Sequence, residues 1–202
     1  MPQAEITLAS APSLTAVLFG LSGCLVDFGS LARSDSPSPD SQATYGALKI
    51  LHDLKEQGVP CAWLDELPAA VTRPLAAALP DWLKATAPAA LRWPAPHACW
   101  QALMELNIER LEGCVLVSGE PRLLQSGLNA GLWTIGLASC GSLCGLAPEQ
   151  WQALTEQQRE HKRGKATMAL YKLGVHSVID HLGELGSCLA DISLRQLKGE
   201  KP

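Results

Sequence analysis

No apolar run in this chain is long enough to cross a bilayer: the longest, such as 15–19, fall far short of the roughly 20 residues a spanning helix takes. The first thirteen residues lack the basic start and apolar stretch of a secretory signal, so none is expected there. There is no excess of basic residues either. With 16 Lys and Arg against 20 Asp and Glu, the net charge of −4 argues against a nucleic-acid binder held by phosphate contacts. The cysteine count is odd, seven at positions scattered through apolar segments, which fits reduced cytosolic thiols rather than a disulfide framework. Internal repeats and composition shifts are lacking as well. What is present is 202 residues, 47% of them hydrophobic, enough for one sizeable core. A cytoplasmic protein of one domain over 1–202 is expected, with no membrane or nucleic-acid partner.

Apolar stretches at 15–19, 59–64, 114–117, 133–137 and 176–179 read as short buried strands. Between them lie helical patterns from 41 to Gly58, over 69–79, 98–106 and 123–130, at 148–151, and over 156–173 and 185–197. In the first helix Tyr45, Leu48, Leu51 and Leu54 are expected on the buried face. Pro74 predicts a kink or break, and the proline-punctuated stretch 80–96 predicts mostly irregular chain. Ser30 to Ser41, containing the run Ser34 to Asp40, reads as a polar, mobile loop. Strands alternating with helices require crossovers, and so predict an α/β three-layer sandwich around a parallel sheet.

Several segments carry a resemblance. They are 16–30 (AVLFGLSGCLVDFGS), 94–96 (PAP) before a helix, 115–146 containing GLNAGLWTIG at 127–136, HSVID at 176–180, and the tail GEKP. In this order the chain resembles the haloacid dehalogenase (HAD) superfamily in its phosphonoacetaldehyde hydrolase form, over nearly its whole length. The resemblance implies a Rossmann-type core whose first strand ends in a nucleophilic Asp. It also implies a Mg²⁺ ion held by carboxylates, a Ser or Thr and a cationic clamp on the phosphoryl oxygens, and a helical cap bearing a Schiff-base lysine. The chemistry needs these groups because an exposed carboxylate must attack while the metal and clamp neutralise phosphoryl charge.

Against that pattern this chain departs at nearly every position. Gly20 stands at the nucleophile, Ser22 at the residue two further on that lends a backbone carbonyl to the metal, and Cys24 at the usual Thr. Asp27 matches the motif's second acid. Trp63, Leu64 and Asp65 align with the second motif, and Trp93 replaces the arginine before Pro94, with Arg92 one residue away. Gly119 replaces a metal-binding Asp, with Glu120 beside it. Only the short loop 30–41, without a lysine, stands where the cap would be inserted.

Each surviving group has a plainer reading. Asp27 is favoured as a turn or helix cap over a catalytic acid. Cys24 is favoured as a core thiol over a replacement nucleophile. Cys140 and Cys144 make too small a ligand set for a metal, Glu120 alone would hold Mg²⁺ poorly, and the basic run His161–Lys165 reads as a solvated helix face. Trp63 and Trp93 would either fill the former cavity or form a sticky surface. The expectation is therefore a HAD-like pseudoenzyme with no cofactor, acting through a protein partner or a homodimer at the strand-end face. Its rivals are a hydrolase of altered chemistry using Cys24, Asp27 or Glu120, and a small-anion binding protein using the backbone N–H groups after Phe19 and near Pro121.

Overall fold

Among the described residues there are six strands, most of them short apolar runs: β1 Ala16–Gly20, β2 Cys61–Leu64, β3 Lys84–Ala85, β4 Cys114–Ser118, β5 Trp133–Leu137 and β6 Ser177–Ile179. The helices are α1 Ala47–Glu56, α2 Ala69–Ala76, α3 His97–Glu105, α4 Pro121–Asn129, α5 Pro148–Ala153, α6 Glu156–Leu173 and α7 Leu185–Leu197. This computed structural model describes residues 14–33, 41–86 and 91–202. The reading of 1–13 as free of a signal and the 34–40 part of the expected loop lie outside the described residues; the start of that loop forms a short 3-10 helix, Leu31–Arg33.

All six strands are parallel, in the order β3-β2-β1-β4-β5-β6. The chain winds outward from β1 in one direction and from β4 in the other. The gap between their C-terminal ends is thus the place where an open α/β sheet forms a crevice. Alternate residues of each central strand feed opposite faces. Val17 and Phe19 join Val115, Val117 and the apolar sides of α1 and α7, whereas Ala16 and Leu18 join Cys114, Leu116 and α3. Both faces are covered, which explains the unbroken apolar strand sequences. The α/β three-layer arrangement is thereby the observed one.

Three local readings need correction. In α1 the buried residues are Ala47, Ile50, Leu51 and Leu54, while Tyr45 and Leu48 are exposed. The helix starts only after Gly46, whose φ of 86° breaks the register that Tyr45 suggested. A ladder pairing Ala62 with Lys84 and Trp63 with Ala85 places β3 in the stretch expected to be irregular. Pro74 lies in the last turn of α2, which continues through it and ends two residues later at Ala76, short of the expected 79. Among the described residues no helix is long and apolar enough to cross a membrane.

Candidate functional site

The loop leaving β1 turns tightly: Gly23, Asp27, Gly29 and Ser30 all have positive φ. Asp27, fully buried, accepts hydrogen bonds from Ser22 Oγ (2.6 Å), Leu31 N (3.1 Å) and Ala32 N (3.0 Å). Its carboxylate therefore caps the short 3-10 helix Leu31–Arg33, which supports the capping reading. The loop rejoins the core beside its start, where Val26 bridges Ala43 and Thr44 N donates to Leu25 O.

Asp65 follows β2 directly and its side chain is fully buried. One oxygen accepts from Ser22 N at 3.1 Å; the other accepts from Arg33 Nη2 at 2.7 Å and from Leu67 N at 2.9 Å. An anion thus already occupies the backbone donor of the β1 loop, and it belongs to the chain itself. Arg33 lies over the Trp93 ring, 5.2 Å from its centroid, with Nε 3.8 Å from Glu120 Oε2. Glu120 accepts from Arg122 N as the N-cap of α4. Arg122 in turn bonds Trp93 O and reaches Glu66 Oε2 at 3.3 Å, while Trp93 N donates to Glu66 Oε1. The mouth between β1, β2 and β4 is closed by this interlocked set of two arginines, three acids and one indole.

Of the two tryptophans singled out in the sequence, Trp93 is only 3% exposed and Trp63 is half-buried against the core under α1. Trp93 packs as filler beneath Arg33 and presents little surface of its own. Arg92, the candidate replacement for the missing arginine, is exposed. Sequence reasoning missed Arg33, Glu66 and Arg122. Nothing in their spacing marks them, because they meet across three separate loops.

The two glycines at the expected acid positions are held by close packing. A Cβ on Gly20 would lie 2.6 Å from Ser118 Oγ, the acceptor for Glu120 N. On Gly119 it would lie 2.3 Å from Gly23 O and 2.5 Å from Gly141 Cα. Backbone from the loops after β1 and β5 fills the space a side chain would need. The residues present do not fit Mg²⁺: positions 20 and 119 offer no carboxylate, Asp65 is buried and engaged by three donors including Arg33, and Glu120 caps a helix. Among the described residues no group of three or more His, Cys, Asp or Glu side chains is placed to hold a metal.

Every cysteine is buried as a free thiol. Burial pushes the Cys24 thiol well above its usual range, and its Sγ points to Val117 O at 3.4 Å. Cys140 and Cys144 donate to separate carbonyls, Gly23 O and Ala138 O, and do not converge. Burial raises Cys61 and Cys140 to about 12 and Cys99 and Cys114 to about 11, from an ordinary 9.0. Folding therefore favours the neutral thiols; their contribution to stability is full below 9.0 and is lost as pH climbs toward those values. We expect thermal unfolding under reducing conditions to move to lower temperature across that alkaline window, and native thiols to resist a disulfide reagent at neutral pH. Rapid labelling of Cys24 in the folded protein would contradict both its placement and its inertness.

No family model matches the chain. The phosphonoacetaldehyde hydrolase of Psychromonas ingrahamii is 32% identical over 164 residues, which are 77% of this chain and 55% of that protein. The chain thus spans little more than half the length of that relative. A solved structure 64% identical in sequence superimposes with a TM-score of 0.91 over 94% of this chain and 100% of its own. A phosphonoacetaldehyde hydrolase-like protein from Oleispira antarctica, 20% identical, superimposes with a TM-score of 0.85 over 95% of this chain and 97% of its own, which speaks to the fold alone.

Proposed function

Because the chain belongs to the HAD superfamily as a phosphonoacetaldehyde hydrolase-like member, we propose that it keeps that scaffold without its hydrolysis and acts by non-covalent binding. The observation that carries the reading is the backbone packed around Gly119. It leaves no volume for the metal-binding acid, and the neighbouring carboxylates serve the fold. Losing a nucleophile removes several orders of magnitude in rate, and here the nucleophile position, Gly20, and the metal position are altered together.

The rival chemistries have less support. Cys24 is buried and protonated, Asp27 is engaged by three donors, and Glu120 is tied to Arg33 and to the start of α4. An anion-binding role for the β1 loop has to contend with Asp65, which already accepts from Ser22 N. For the binding role, a second copy is the default partner, since two-fold assemblies are the commonest. At the strand-end face Tyr45 remains 74% exposed, edge-on to His181 with ring centroids 4.7 Å apart.

The purified protein with Mg²⁺ is expected to release neither phosphate nor acetaldehyde from phosphonoacetaldehyde above background. Simple phosphate esters are expected to survive as well, and the protein to sediment as a dimer. Turnover that disappears in Glu120→Gln would overturn the inactive reading. A monomer at high concentration would remove self-association.

A further inference from the structure

The basic run on α6 is not one solvated face. Its arginines are used internally: Arg163 pairs with Glu156 at 2.8 Å and Asp180 at 3.3 Å, and Arg159 with Glu156 at 3.7 Å. The cations on the other side have no acidic partner among the described residues. Lys162 and Lys165, with His161, line a groove of about 500 Å³ that also includes Gln158, Leu154 and Leu143. Among the described residues no acidic side chain lines it, in a chain whose net charge is −4.

Helical geometry makes this concentration deliberate in effect. Positions 158, 161, 162 and 165 are spaced three and four apart, so they share one stripe of α6. Like charges at those spacings repel along a helix, and nothing local offsets the cost here. The groove also lies along the first half of α6, whose dipole is positive at the Thr155 end. Lys162 is half-buried, and Leu143 and Leu154 add apolar surface to the groove beside the cations. A multiply charged anion with an apolar portion complements all of these features.

We propose that this groove is a binding site for a small organic molecule bearing two or more phosphate charges, held by Lys162, Lys165 and His161. It stands apart from the closed mouth between β1, β2 and β4, and it holds whether or not that mouth hydrolyses anything. The volume suits a small ligand, being within the range of about 300–1,000 Å³ typical of such sites.

The test is a titration of the full chain with inorganic tripolyphosphate, followed by calorimetry and by amide shifts, on wild type and on Lys162→Glu with Lys165→Glu. Wild type is expected to bind, with shifts centred on α6 and the 140–146 loop, and to weaken as salt is raised. The double variant is expected to lose about tenfold or more in affinity. Lys172→Glu, at the exposed far end of the same helix, is expected to leave binding unchanged, which separates a site from general charge. Absence of binding by wild type, or equal loss in Lys172→Glu, would overturn the proposal. So would a single-stranded oligonucleotide that binds the groove more tightly than tripolyphosphate, since the partner would then be a polymer.

Discussion

Replacing Asp65 with Ala is expected to be among the most destabilising single changes available at the strand-end face, at about 3–5 kcal/mol. The buried carboxylate accepts from three donors on three segments, and removing it strands each of them: Ser22 N, Leu67 N and the Arg33 guanidinium. Breaking one side of a buried ion pair costs more than the pair contributes, because the remaining charge stays behind without a partner. Arg33 retains 19% exposure and can recover some hydration, which favours the lower part of that range. For a chain of this length each kcal/mol corresponds to roughly 2–4 °C in melting temperature. Chemical denaturation of Asp65→Ala, Arg33→Met and the double variant measures the coupling directly. Additive losses, or a loss under about 1 kcal/mol for Asp65→Ala, would mean that the carboxylate is a bystander.

Returning an acid to position 119 is expected to damage the fold without restoring chemistry. The contacts that an added Cβ would meet, Gly23 O at 2.3 Å and Gly141 Cα at 2.5 Å, are backbone atoms that cannot rotate away. Overpacking of this kind typically costs about 1–3 kcal/mol and sometimes more, and two rigid neighbours place Gly119→Asp at or above the top of that range. Gly119→Ala isolates the steric part, since it adds the Cβ alone. Gly20→Asp meets the movable Ser118 hydroxyl first and is expected to be better tolerated. Denaturant midpoints rank the three variants, and calorimetry of the Gly20→Asp, Gly119→Asp double variant reports on Mg²⁺. A double variant as stable as wild type, binding the metal tightly, would refute the filled-site account.

The strands and most helices were legible because both of their signals are local. Apolar runs such as AVLFG and CVLVS announce buried parallel strands, and α6 spans the 156–173 that its helical pattern predicts. The start of α1 was misread because Tyr45 fits a helical spacing, while the positive φ of Gly46 is a tertiary fact, set by close approach to Gly183. β3 escaped because two exposed residues between prolines carry no strand pattern. At the site, Gly20 and Gly119 are legible as departures from the pattern the sequence resembles, whereas the network of side chains around them is not. Arg33 and Asp65 are 32 residues apart, and Trp93 meets Arg122 across 29. Pairings of that range depend on how the loops converge, which no periodicity encodes.

The contact between Gly119 and Gly141 also limits where this sequence can go. Each glycine is required by the other: a Cβ on Gly141 would sit 2.2 Å from Gly119 O, just as one on Gly119 runs into Gly141 Cα. An acid at position 119 would need the loop after β5 rerouted as well as the substitution itself. The two glycines therefore constrain each other: neither position takes a side chain while the other loop keeps its present course.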